Sequence, residues 1–535
     1  MTYMVDSGAN CRGQFSSAGS LKNTVTSGPA SISNPFPVFA ISMDLGNVTT
    51  TTDAVVWAVG MLRDPAIQAV TASGAPEMRS PYWRTQGVAQ DIITSFLQDY
   101  SSAAERAEAF DTALAKNASS TSPHLVDLVS IAARQAMAGT ELTVGGSAGS
   151  YNTSDVKMFM KDVGPNGRVN PVEVLYSAFP FFLSVNGSYG GWLLKPVLDY
   201  ASSPVWTQPY SPRHIGLSYP NATGDPTTHD QGVEQSGNML IMTLAHARAT
   251  GDGSLISTYY RLLKRWADYL VNNTSPLPAG QISADPGPRP NSTNLAIKGI
   301  IAIGAMSQMS VAMDQQQDAQ HYSSKAQAHA NTWKSLALSS DNHILSNFGD
   351  PGSSWALEYN LYADKWLGTG LVDDSVYSSE TTFVQSLLGS YPNGLPIDND
   401  SDADGNTAWT LFTAMTMNDV SVQGSLVDYV WNIISKNETR TIFSTVFSLK
   451  GNGSALDSTA TSPGVGAMFA PLALSIPNVT INVADPGSST GTSKHSNIGV
   501  IVGGVAGGAG GSILFLAVGL FLWRRLRRSD GDENH

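Results

Sequence analysis

Apolar positions along the middle of the chain recur at helical spacing. Leu255, Tyr259, Leu262, Leu263, Trp266 and Leu270 fall on one face of a 3.6-residue period, and Ala319, Tyr322, Ala326, Ala330 and Trp333 repeat it. Between these two stripes, residues 299–313 are apolar nearly all round, which predicts an inner helix covered by others. Gly, Pro and Asn punctuation divides the region into about twelve helical segments, with a hairpin-like insertion at 141–170. Twelve helices in pairs predict a mainly α chain whose residues 76–476 form an (α/α)6 six-hairpin toroid.

The flanks have other patterns. Residues 1–75 carry short β-branched and aromatic runs, at 37–41 and 54–59, broken by turn residues, and predict a partial β-sandwich domain. Residues 477–497, rich in Pro, Gly, Ser and Thr, predict a flexible stalk. No charge occurs from 498 to 523, and Arg524, Arg525, Arg527 and Arg528 follow at once. A helix of that length, at about 1.5 Å per residue, exceeds the roughly 30 Å hydrocarbon core and spans it with tilt. The arginines place the basic tail 524–535 in the cytoplasm and the bulk outside. Gly503, Gly507 and Gly511, spaced by four, add the expectation of a homodimer through this helix.

Acceptors of the form Asn-x-Ser/Thr agree with that topology. They occur at Asn47, Asn117, Asn152, Asn186, Asn221, Asn272, Asn273, Asn291, Asn399, Asn437, Asn452 and Asn478, all ahead of the apolar segment, and predict an extracellular glycoprotein. Residues 1–10 show no apolar leader, so an upstream segment carrying a leader and the missing strands is expected. Cys11 is the single cysteine, which rules out an intrachain disulfide and leaves burial to stabilise the fold. A net charge of -13, with no basic stripe outside the juxtamembrane arginines, excludes a nucleic-acid partner.

Short motifs lead nowhere strong. Gly145-Gly-Ser147-Ala-Gly149 has the spacing of a nucleophile elbow but sits in a Gly/Ser loop. Ser154-Asp-Val-Lys157 matches Ser-x-x-Lys without the accompanying Lys-Thr-Gly, so a solvated lysine is the better reading. Asp400, Asp402, Asp404 and Gly405 begin like an EF-hand loop, yet Leu411 stands where a bidentate carboxylate is needed. Nine histidines show no zinc spacing, and no metal or organic cofactor is expected. Carboxylates therefore remain as acids and bases for a hydrolysis: Asp155, Asp225, Asp230, Glu234, Asp285, Glu358 and Asp364 stand in candidate loops. Spacing does not choose among them.

Longer strings carry more information. Residues 38–46 with Arg63-Asp-Pro65, Pro81-Tyr-Trp83, Ser154-Asp-Val156, Tyr219-Pro-Asn-Ala-Thr-Gly224, Glu234 through Gly237-Asn-Met-Leu240, Thr293-Asn-Leu-Ala-Ile-Lys-Gly-Ile300 and Tyr359-Asn-Leu-Tyr-Ala-Asp-Lys365 resemble the fungal glutaminase A family. That resemblance implies a β-sandwich-like domain ahead of a six-hairpin toroid, and extracellular hydrolysis of L-glutamine to L-glutamate and ammonia. Departures fall on polar positions. Arg213-His-Ile-Gly216 stands for His-Asp-Leu-Gly, Gln235 for a glutamate, and Ala284-Asp-Pro-Gly287 shortens a Thr-Asp-Asp-Phe-Ala-Gly string. Ala408-Trp-Thr410 replaces Asp-Trp-Glu, and Met468 stands for a histidine.

The leading expectation is a membrane-tethered, glutaminase-like amidohydrolase, with Glu234, Asp155, Asp285 and Asp364 as the carboxylates to examine first. A carbohydrate-active toroid using Trp192, Trp206, Trp355 and Trp409 as sugar platforms is one alternative. A catalytically decayed surface-binding protein is the other.

Overall fold

The computed structural model describes residues 1–483, except 27–30, 32–35, 53, 165, 276–279, 286–289, 351, 401–403, 437–442, 452–453 and 456–460. The expected membrane helix at 498–523, the basic tail, residues 484–497 of the stalk and Gly503, Gly507 and Gly511 lie outside the described residues. The chain divides into two units, Met1–Met61 and Leu62–His535.

In the first unit, β1 (Thr2–Ser7) is followed at once by helix α1 (Gly8–Ala18), where a continued β pattern was expected. The Ser7 side chain caps this helix by accepting from Asn10 N, and Gly19 closes it in the left-handed conformation at φ 67°. Strand β2 (Thr24–Val25) pairs parallel to β1, and β3 (Pro37–Ser42) pairs antiparallel from Thr2↔Ser42 to Ser7↔Pro37. Met4, Cys11 and Leu21 make the small core, with Val38 and Ala40 against it. The run 54–59 forms no strand: it has no ladder partner among the described residues and Val59 is fully exposed. One three-stranded sheet with a helix thus stands where a partial sandwich extending to residue 75 was expected.

Strands β4 (Ile67–Val70) and β5 (Pro76–Pro81) belong instead to the second unit, because β5 pairs with β6 (Thr140–Ser147). β6 turns back into β7 (Ser150–Met160), the predicted insertion, and β8 (Asn221–Ala222) adds parallel to β4. The sheet order is β7-β6-β5-β4-β8. Two helices, α2 (Ala89–Gln98) and α3 (Tyr100–Ser119), lie between β5 and the helical ring.

Among the described residues, six hairpins follow. α4 (Pro123–Ala138) pairs with α5 (Val172–Val185), α6 (Gly187–Ser202) with α7 (Gly232–Thr250), and α8 (Ser254–Asn273) with α9 (Thr293–Ala312). α10 (Gln316–Ala337), α11 (Leu361–Leu367), α12 (Asp374–Leu387), α13 (Thr407–Ala414), α14 (Val420–Ser435) and α15 (Ala470–Leu474) continue the alternation, the last preceded by a 3-10 turn, Pro463–Phe469. The inner ring runs α5, α7, α9, α11, α13 and the Pro463–Leu474 segment, which packs back on α5. Outside it, α14 returns to α4 and closes the second ring.

Periodicity accounts for this division. Outer helix α8 buries Leu255, Tyr259, Leu262, Leu263, Trp266 and Leu270, and α10 buries Ala319, Tyr322, Ala326, Ala330 and Trp333, the two predicted stripes. Inner helix α7 is buried from Gly232 to Ala247, and α9 from Thr293 to Ser307. Among the described residues, α9 is the helix long and apolar enough to cross a membrane, and 78% of its apolar window is buried inside the fold.

The first residues of the expected stalk are docked, not free. Val479 N donates to Arg248 O and Asn482 N to Gly251 O, while Gly253 N donates to Asn482 O. This backbone pairing needs glycine. A Cβ on Gly253 would stand 2.7 Å from Val483 Cγ1, and Gly251 sits at φ 76°.

Candidate active site

Because successive inner helices run the same way, their N-terminal turns meet at one end of the toroid. Glu173 on α5 accepts from Gln235 Nε2 on α7 at 3.2 Å, and Asn294 on α9 donates to Leu357 O ahead of α11 at 3.1 Å. Polar side chains on these first turns face one another.

Glu234, in the first turn of α7, and Lys298, in the second turn of α9, form an ion pair at 2.6 Å with side chains 1% and 0% exposed. The lysine stem fits because residue 237 is glycine, whose Cβ would come within 2.9 Å of Lys298 Cγ. The ammonium also lies over two aromatic faces, 4.7 Å from the Tyr176 centroid and 5.6 Å from that of Tyr359. Asn238 donates to the same Glu234 oxygen, Oε1, at 3.1 Å. The other oxygen, Oε2, is buried without a hydrogen-bond partner among the described residues, as are Tyr176 OH and Asn238 Oδ1. Burial pushes the Glu234 carboxyl up; Lys298 opposes this and the nearby charge of Asp285 adds to it.

Asp285 comes from the loop before α9. Its two oxygens accept from Tyr359 OH at 2.5 Å and from Trp409 Nε1 at 2.7 Å. The two donors stack on each other, centroids 4.2 Å apart and planes at 8°. Burial, with Asp285 and Glu234 close by, pushes the Tyr359 hydroxyl well up, so it stays a donor at ordinary pH.

The four expected carboxylates therefore divide. Glu234 and Asp285 meet at the toroid end. Asp155, on β7, is paired elsewhere with Arg79 at 2.7 Å and Lys195 at 3.1 Å; burial raises its carboxyl, but these cations and Lys157 hold it down at about 2. Asp364, on α11, is saturated by Thr369 Oγ1, by Leu371 N at 3.0 Å and by Tyr377 OH at 2.8 Å, and staples the end of its own helix. Of the other loop acids, Asp225 faces His214 at 3.6 Å and Asp230 is exposed, while Glu358 is fully buried beside Glu380.

Ser147 lies at the exposed tip of the β6–β7 hairpin, and Lys157 follows Ser154 along a strand, so neither short motif has the helical geometry it needs. The sequence predicts a solvated Lys157, but it is buried and pairs with Asp199 at 2.9 Å. Asp402 lies outside the described residues, and no three His, Cys, Asp or Glu side chains gather as a metal site among the described ones.

Lys298 and Asn238 stand inside the family-like strings, yet neither they nor Tyr176 are among the candidate site residues. The signal for Lys298 was present: one charge inside an apolar helix marks a paired, buried cation. The departing positions map to the same end. Gln235 is in the first turn of α7, Thr410 in that of α13, and Met468 in the turn that precedes α15.

Among the described residues, twelve helices closed into two rings, with a buried polar cluster at one end, define a six-hairpin helical toroid. Residues 122–472 match the glutaminase A six helical-hairpin domain, and residues 1–117 match a domain of unknown function (DUF5127). The chain belongs to the glutaminase A six helical-hairpin family. It is 33% identical over 487 residues to glutaminase A of Aspergillus oryzae, covering 89% of this chain and 68% of that protein. A probable glutaminase of Arthroderma benhamiae is 25% identical over 485 residues, covering 72% of this chain and 55% of its own length. Among solved structures, an α-L-rhamnosidase from Dictyoglumus thermophilum aligns with 57% of this chain and 33% of its own, at TM-score 0.37 and 12% identity.

Proposed function

We propose that this chain is a glutaminase-type amidohydrolase that releases ammonia from L-glutamine outside the cell, held to a membrane by residues 498–523. The observation that carries the reading is the pairing of Glu234 and Asp285 around Lys298, in a chain whose relatives are named glutaminases. Extracellular placement draws support from the ten described glycosylation acceptors, none of which is buried.

Asp285, its oxygens fixed by Tyr359 and Trp409, takes a proton from the attacking water. Water oxygen bonds to the amide carbon, and the Lys298 ammonium offsets the charge that develops on the carbonyl oxygen. The C–N bond then breaks. Glu234, its carboxyl pushed up by burial, takes up the proton shared with Lys298 at 2.6 Å and delivers it to the departing nitrogen, and ammonia leaves. Return of the first proton from Asp285 through Glu234 restores the Glu234–Lys298 pair.

The sugar-binding alternative loses its motivating feature. Trp206, Trp355 and Trp409 are buried and Trp192 is half-buried, and all four rings pack on neighbouring aromatics. Ammonia release from L-glutamine by the full chain tests the proposal. Wild type should turn over, and E234Q or D285N should lower kcat by about 10²–10⁴-fold. A wild type that releases none, at concentrations where the Aspergillus relative is active, refutes it.

A further inference from the structure

The loop between α6 and α7 carries a cation that the mechanism above does not use. Arg213 is half-buried, and its guanidinium makes no hydrogen bond or ion pair among the described residues; its Nε is buried without a partner. This contrasts with its surroundings. Arg168, nearby, is bound by both Asp162 and Glu173 at 2.9 and 2.6 Å. An arginine with open donors next to desolvated neighbours is held ready for an anion, and its planar fork matches a carboxylate.

Its position is fixed by backbone. Arg213 O accepts from Val172 N at the start of α5, one residue before Glu173. Glu173 accepts from Gln235, which neighbours Glu234 in the first turn of α7. His214 and His229 feel the charge of Arg213, and burial holds both imidazoles down at about 4, so neither competes with it for an anion at neutral pH. Asp225 lies near enough to be influenced by the guanidinium but spends its hydrogen bonds on Thr227.

Resting on the amidohydrolase reading, we infer that Arg213 binds the α-carboxylate of a free amino-acid amide and thereby sets the enzyme's specificity. Free glutamine offers that carboxylate. Glutamine inside a peptide does not, and is rejected because Arg213 would stay unpaired against an uncharged peptide carbonyl.

The experiment compares wild type, R213Q and R213K in the full chain, with L-glutamine and with L-glutamine capped as its α-methylamide. In parallel, calorimetric binding of L-glutamate reads the same contact without turnover. R213Q should raise KM for glutamine by about tenfold or more, leave the capped substrate within about twofold, and weaken L-glutamate binding by a similar factor, with R213K between. Equal losses on both substrates, or unchanged L-glutamate affinity in R213Q, overturn the inference. A wild type that binds L-glutamate through Arg213 but releases no ammonia defeats the catalytic reading alone, and one that does neither defeats both.

Discussion

Glu380 offers a test whose size follows from the structure. It lies on α12 at 1% exposure, with Oε2 accepting from Ile344 N at 3.0 Å, and burial pushes its carboxyl from the ordinary 4.5 up to about 7. Glu358 sits beside it, pushed the same way by burial and by Glu380. A carboxyl that keeps its proton in the folded state while the unfolded chain releases one loses stability as pH rises. The contribution is fully present below pH 4.5 and is gone once pH passes 7. At about 1.4 kcal/mol per unit, Glu380 alone removes about 3 kcal/mol across that window.

Gln in its place keeps the acceptor for Ile344 N and cannot ionise. With an unfolding entropy of about 2.1 cal/mol/K per residue over roughly 350 residues, 3 kcal/mol corresponds to about 4 °C in Tm. Tm curves of wild type and E380Q, measured from pH 4.5 to 8, should therefore diverge by about 4 °C in favour of the variant as pH rises. Parallel curves would refute the assignment of a buried, protonated Glu380.

Two further substitutions separate the site from its supports. D364N should lower stability by about 1–3 kcal/mol in urea titration while leaving kcat within about twofold, because Asp364 serves Thr369, Leu371 and Tyr377 and not the toroid end. Q235E would set a carboxylate against Glu173, where an amide now donates at 3.2 Å; it should cost about 1–2 kcal/mol above pH 5, and ammonia release should not rise.

The ring of helices was legible because its signals are local. Stripes at α8 and α10, and the all-round apolar α9, report which side is covered without any knowledge of what covers it. Helix α1 was not legible, since it buries only Gly8 and Cys11 and depends on a Ser7 cap in place of an apolar stripe. Residues 54–59 misled in the opposite sense: β-branched composition supplies a strand's edge but not its partner. Choosing among carboxylates was harder still. Glu234 and Asp155 look alike in sequence, and only the closure of the rings brings one to Lys298 and sends the other to Arg79.

The docked segment at Val479–Asn482 also fixes a direction. Its partners, Arg248 and Gly251, are at the C-terminal end of α7, whereas Glu234 is at the beginning. Fourteen to seventeen residues of α7, about 21–26 Å, separate them. In a chain anchored as proposed, the tether would leave the toroid from its floor, and the polar end would look away from the lipid. Solute from the medium would then reach Asp285 and Arg213 without crossing the crowded layer at the cell surface, while the glutamate and ammonia produced would be released outward, where the cell would have to recapture them before they diffuse away.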